Sequence, residues 1–221
     1  MPSHSPADAR FLRAIWSLST NERTVTVTAL ARRLDHVPGT VSDRIRKLAE
    51  RGWVAREPYR GLALTARGRS EALRAVRTLR LLHCALSDLL GMPWPEIPAE
   101  AAALEGAASD RLIEQAESQL GSPATDPFGE PIPDRSGSLT DPRDRPLGSP
   151  GPASGSNHFT ISRVVEHSMP VLERLDTHRL RPGARISLRS RSPLAGSMTL
   201  GTSEGDVEIG LPEIRALRVH R

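Results

Sequence analysis

Residues 25–68 read VTVTALARRLDHVPGTVSDRIRKLAERGWVAREPYRGLALTARG, and they decide the fold. Thr26 or Thr28 can cap a short helix whose apolar positions are Leu30, Ala31 and Leu34. Asp35-His36-Val37 follows as a turn. Pro38 then falls in the first turn of a second helix, where its missing N–H would have had no partner anyway. Val41, Ile45 and Leu48 recur at i, i+4 and i+7 and form one buried stripe. That leaves Thr40, Asp43, Arg44 and Lys47 for the outer face. Small hydroxyls and a carboxylate on such a helix suit base edges of the major groove, and cations suit phosphate. Beyond it, Trp53-Val54-Ala55 and Leu62-Ala63-Leu64 flank the turn Glu57-Pro58-Tyr59-Arg60-Gly61. That is a hairpin signal. Helix, turn, helix and hairpin together predict a winged helix-turn-helix.

Charge supports this reading over a small helical domain that touches no nucleic acid. The 221 residues carry a formal net charge of only +4. The charge is unevenly spread: +9 over residues 1–80, −8 over 81–156 and +3 over 157–221. The basic block coincides with the helix-turn-helix, as phosphate binding requires. Of the 30 cationic side chains only Lys47 is a lysine, an arginine bias that also follows from base composition, so no single arginine proves a contact.

Upstream, Ser5-Pro6-Ala7-Asp8 has the form of a capping box, with Asp in place of the usual Glu. The helix it starts carries Phe11, Leu12, Ile15, Trp16 and Leu18 and ends near Asn21. Downstream, Thr65 can cap a long helix with the stripe Leu73, Val76, Leu79, Leu82, His83, Leu86 and Leu90, stopped by Gly91. Shorter helices are expected over 98–107 and 109–120. Acidic, amphipathic helices in sequence suit a dimerisation bundle. Pro, Gly and Ser make up 20 of the 36 residues from 121 to 156. Within that stretch DPFGEPIP (126–133) has alternating prolines around one aromatic anchor, whereas 135–156 reads as a flexible linker. From 158 the period changes to two. Phe159–Ser162, Arg185–Leu188, Ser197–Leu200 and Asp206–Ile209 alternate apolar and polar residues, with a short helix over 171–180. About five short strands in such a length suggest a small barrel. The fold class is α+β, divided as 1–72, 73–134, the linker 135–156, and 157–221.

No GxSxG, Walker A, HExxH or CxxC pattern occurs, so no enzyme is expected. A single cysteine, Cys84, excludes an internal disulfide framework and fits a reducing compartment. There is no apolar run of membrane-spanning length and no apolar leader core, so the expectation is a cytoplasmic protein with no membrane partner.

The segments RFLRAIWSL (10–18), PGTVSDRIRKLAERGWV (38–54), YRGLALTARGR (59–69), LLGM (89–92), DPFGEPIP (126–133) and LRPGARISL (180–188) resemble the diphtheria toxin repressor, or iron-dependent repressor, family of metal-dependent transcriptional regulators. The resemblance covers essentially the whole chain. It implies a winged helix-turn-helix domain, a helical dimerisation domain and an SH3-like (FeoA-like) domain. It implies a homodimeric repressor that binds a palindromic operator in double-stranded DNA when a divalent transition metal, iron or manganese, is present. The DNA-binding positions would be Pro38, Thr40, Ser42, Asp43, Arg44, Lys47 and, on the wing, Arg60.

The metal ligands transfer poorly. The first-helix ligand position falls on Arg10, which offers no lone pair. Other ligand positions fall on Leu79, Pro98, Ala102 and Gly106, and near Ser168 and Val171. His83 and Glu105 are left as candidate metal ligands, too few for a closed site. Glu166 and His167 lie near the expected C-terminal ligands and could supply a rearranged one. An Arg10–Glu105 pair could instead replace the metal as a built-in cation. The metal response is therefore expected to be weakened, rewired or lost. The competing class is an adaptor that does not bind DNA and uses its SH3-like domain for a partner; a metal-buffering protein is disfavoured by the poor ligand set.

Overall fold

A computed structural model describes residues 5–21, 24–57, 61–149, 157–192 and 194–221. Contacts group them into two units. One comprises 1–79, 103–115 and 133–139; the other comprises 80–102, 116–132 and 140–221. The sequence division at 72, 134 and 156 follows chain order, whereas these groupings interleave.

The N-terminal unit opens with α1 (Pro6–Asn21). Its capping box forms as expected: the Ser5 amide donates to Asp8 Oδ2 (3.1 Å) and the Asp8 amide to Ser5 Oγ (3.2 Å). Of the two candidate caps for α2 (Val27–Leu34), Thr26 is the one used, its Oγ1 accepting from the Ala29 amide at 3.0 Å. Asp35 ends α2 in the left-handed region (φ 55°). Pro38 opens α3 (Pro38–Glu50) at its N-terminal turn. β1 (Val54–Glu57) and β2 (Gly61–Leu64) pair antiparallel with Val54 opposite Leu64, as the hairpin reading requires. The turn 58–60 lies outside the described residues. Leu12, Ile15, Leu30, Leu34, Val41, Ile45, Leu48, Trp53 and Leu62 share one core. At roughly 2 kcal/mol for each large buried side chain, burial rather than helix propensity holds these short elements.

α4 (Ala66–Cys84) starts where Thr65 accepts from the Gly68 amide (3.0 Å) and continues as a π-helical turn, Ala85–Leu89, before Gly91 (φ 63°). Leu90, expected on the buried stripe, is exposed instead, because the wider turn shifts the helical phase beyond Cys84. α5 (Ile97–Leu104) and α6 (Asp110–Gln119) follow. In the C-terminal unit a six-stranded antiparallel sheet has the order β3 (Arg145–Pro146), β8 (Leu217–His220), β4 (His158–Val164), β5 (Arg185–Ser192), β6 (Ser197–Thr202), β7 (Gly205–Ile209). Bulges at 161–163 and 188–190 bend it in the SH3-like manner. α7 (Met169–Thr177) and α8 (Leu211–Ala216) complete the unit, with Ile161, Leu172, Leu175, Leu200 and Leu217 in its interior.

The expected linker 135–156 is not one over its described part. Asp134 caps its own turn through the Ser136 and Ser138 amides (2.8 Å each). Asp144 binds Arg163 (2.6 Å) and Ser162 (2.7 Å), Leu147 is buried, and β3 pairs with β8. Proline and glycine exclude regular helix here, but anchored side chains still order the path. Residues 150–156 lie outside the described residues. Among the described residues no helix is long and apolar enough to cross a membrane.

Candidate nucleic-acid interface

The core holds α3 by Val41, Ile45 and Leu48, which leaves Pro38, Gly39, Thr40, Ser42, Asp43, Arg46 and Lys47 exposed. Three of these, Pro38, Gly39 and Thr40, form the first turn, where free amide donors and the positive end of the helix dipole favour anions. Beside α3, an open cleft of about 420 Å³ runs to the hairpin, lined by Ser42, Asp43, Ile45, Arg46, Ala49, Val54 and Ala55. Its polar rim is Ser42, Asp43 and Arg46, and Arg46 Nη2 donates to Asp43 Oδ1 at 3.3 Å. Arg46 was not singled out in the sequence. Its place three residues after Asp43 was the available signal.

Arg44 is a correction. It does not stand on the outer face; its Nη1 donates to Asp8 Oδ1 of α1 at 3.1 Å. Arg51, just past α3, donates to Asp8 Oδ2 at 2.7 Å, and its guanidinium lies 5.1 Å from the centre of the Trp53 ring. Asp8 is 2% exposed. Burial opposes its charge, but the Ser5 hydroxyl and amide, with Arg51 and Arg44, outweigh that and hold its carboxyl below the usual range. Arg44 thus anchors α3 to α1. Arg60 lies outside the described residues.

The candidate metal ligands each have another partner. In the C-terminal unit, buried His83 directs Nδ1 at Asp126 Oδ2 (2.8 Å). Asp126 Oδ1 accepts from the Phe128 and Glu130 amides (3.0 and 2.9 Å), so the DPFGEPIP loop folds around this carboxylate. Glu130 and the Pro131 carbonyl in turn bind the Arg80 guanidinium. Phe128 stacks on Trp94 and His167, with ring centres 5.0 and 4.3 Å apart. His167 Nε2 contacts the Val164 carbonyl at 2.8 Å, and desolvation pushes its imidazole below the ordinary histidine range. His83 Nε2 is buried without a hydrogen-bond partner, but its ring neighbours are Phe128 and His167. Glu166 Oε1 accepts from the Ser168 amide (3.2 Å). Cys84 hydrogen-bonds the Thr125 carbonyl, and burial, with Asp126 and Asp88, pushes its thiol up to about 12, so no thiolate is available.

In the N-terminal unit Glu105 is ion-paired, but with Arg13 rather than Arg10. Arg10 Nη2 donates instead to the Leu34 carbonyl at the end of α2 (3.0 Å). The two arginines stand one turn apart on α1, and the pairing expected of Arg10 is corrected to Arg13. Among the described residues no group of three or more His, Cys, Asp or Glu is placed to hold a metal ion. The residues present therefore do not fit a divalent metal site.

Comparison with known proteins agrees with this layout. Residues 7–62 match the N-terminal DNA binding domain of iron dependent repressors, and residues 65–134 match the iron dependent repressor metal binding and dimerisation domain. The iron-dependent repressor IdeR of Mycobacterium tuberculosis is 35% identical over 123 residues, 56% of this chain and 54% of its own length. The diphtheria toxin repressor of Corynebacterium jeikeium is 33% identical over 123 residues, 56% of this chain and 51% of its own. The chain thus matches about half the length of these curated relatives. The solved structure of a manganese-dependent transcriptional repressor in complex with manganese superposes with a TM-score of 0.86, covering 96% of this chain and 98% of that one, at 31% identity. With two successive family domains matched and the fold shared along nearly its whole length, the chain belongs to the iron-dependent repressor family.

Proposed function

We propose that this chain is a homodimeric transcriptional repressor that binds a palindromic operator in double-stranded DNA, with α3 in the major groove. The observation that carries the reading is the outer face of α3, which offers two hydroxyls, a carboxylate and two cations beside a hairpin, on a helix fixed from below by its core stripe. Thr40, Ser42 and Asp43 would read base edges, Lys47 and Arg46 would meet phosphate, and Arg60 would contact the backbone from the wing. Pro38 would set the angle at which the helix start enters the groove. Arg44 would act indirectly, by holding α3 to α1. The family domain over 65–134 supports dimerisation, and a dimer mirrors a palindrome.

Known relatives include iron- and manganese-dependent repressors. Here the metal response is read as weakened, rewired or lost, because His83 and Glu105 are committed to Asp126 and Arg13. The test is fluorescence anisotropy with a labelled duplex library at increasing salt. Selection of a palindrome, with affinity falling steeply as salt rises, is expected. Equal, salt-insensitive failure on every duplex would sink the reading and favour the adaptor.

A further inference from the structure

The geometry points to Arg13 as a built-in cation that fixes α1, and through it the DNA-facing helix, without any metal. The inference rests on the DNA-binding reading. α1 is tied on two sides within the N-terminal unit. Asp8, near its start, binds Arg44 and Arg51 of the α3 region at 3.1 and 2.7 Å. Five residues later, Arg13 binds Glu105, in the turn between α5 and α6. The Arg13 and Glu105 side chains are only 16% and 8% exposed. A carboxylate so nearly buried needs a compensating cation, since an isolated buried charge is strongly unfavourable. Arg13 supplies it covalently. Its guanidinium has no lone pair to share with a metal, so it satisfies Glu105 while occupying Oε1.

The surroundings of Glu105 reinforce this. Ala102 and Gly106, at its own helix end, carry no donor side chain. A Cβ on Gly106 would fall 2.6 Å from Pro6 Cγ, so no ligating side chain fits there without displacing the start of α1. Glu105 also lines a cavity of about 50 Å³ with Pro6, Ala9, Arg74 and Asp110. That is room for about one water molecule, and Arg74 brings a second positive charge to its wall. A divalent cation there would meet the Arg74 guanidinium and two carboxylates, Asp110 and a Glu105 already paired with Arg13, too few donors for a closed site.

The experiment measures duplex binding of the full chain after EDTA treatment and again with added manganese(II). Binding of the wild type is expected to stay within about twofold throughout, whereas Arg13→Ala and Glu105→Gln each weaken it by roughly 5- to 150-fold, the usual range for coupled sites. The double variant should be no weaker than the worse single one, and the swap Arg13→Glu with Glu105→Arg should recover binding. A merely structural contact would not predict indifference to chelator. Loss of binding in EDTA with recovery in manganese overturns the proposal, as does wild-type binding by Arg13→Ala. Thermal unfolding supplies a readout independent of DNA. EDTA and manganese should leave the wild-type midpoint in place, and the two variants should lower it non-additively. A midpoint raised by several degrees in manganese refutes the built-in cation. If no duplex is bound at all, the DNA reading fails alone, and the unfolding data still judge the pair.

Discussion

An exposed charge and a charge that positions a helix differ by a single helical step. Lys47 and Arg44 are three residues apart on α3, yet Lys47 is exposed and Arg44 is tied to Asp8. Lys47→Ala should therefore weaken binding to all duplexes alike and lower the salt slope by about one, because phosphate contacts carry no sequence information. Asp43→Ala should change the preferred sequence, which a randomised-site selection would detect; an unaltered preference would remove Asp43 from the reading face. Asp8 belongs to the positioning set. Its carboxyl titrates below the ordinary 3.8 in the folded chain, so its contribution is complete above that value and is lost as pH falls through the lowered one. Asp8→Asn should cost about 1–2 kcal/mol near neutral pH, through the lost cap and ion pairs, and progressively less in acid. Urea midpoints of both proteins between about pH 6 and pH 3 would show the gap closing. The exposed face of α3 was legible because apolar periodicity fixes which side of a helix is covered. The partners of Arg10, Arg13 and Arg44 were not, because long side chains on one helix reach different elements according to tertiary placement.

Elements with a regular period were read from the sequence with little error, and those made by tertiary pairing were not. The caps at Ser5 and Thr65, Pro38 at the start of α3 and the hairpin register all follow from local chemistry. β3 spans two residues and exists because β8 pairs with it, so no pattern announces it. β8 was missed although Leu217-Arg218-Val219-His220 alternates, because a short helix, α8, runs directly into it. The contact between the hairpin and α4 offers a sharp test. A Cβ on Gly68 would lie 1.8 Å from the Trp53 carbonyl oxygen, and that oxygen also accepts from the Thr65 amide at 3.1 Å. Gly68→Ala should destabilise the chain by about 3 kcal/mol, since backbone must move to admit the methyl group. Gly39→Ala is the control. Nothing lies within 4 Å of its Cβ, so a gain of about 0.5–1 kcal/mol is expected from helix propensity. Denaturant unfolding of the two variants should move the midpoint in opposite directions.

At the scale of the whole molecule, the acidic middle of the chain does not end where its family domain ends. Phe128 is fully buried, its carbonyl accepts from the Val164 amide at 2.8 Å, and Glu130 is engaged by Arg163. A chain stopped after residue 134 would lose β4 and expose this loop. It should melt well below the full chain, and scanning calorimetry of the two would show it. The full chain should scatter light as a dimer at micromolar concentration; a monomer would contradict the operator geometry proposed above. The interleaved units also have a spectroscopic consequence. The three tryptophans are Trp16 and Trp53 in the N-terminal unit and Trp94 in the other. Trp94 contacts both Phe128 and the Arg181 guanidinium, with its indole N–H on the Pro127 carbonyl. Replacing Trp16 and Trp53 by Phe leaves an emission that reports the Asp126 loop alone, and replacing Trp16 and Trp94 instead leaves Trp53, which reports the base of α3. Two such single-tryptophan proteins would reveal, by the colour and quenching of their light, whether the chain opens as one body or in two stages.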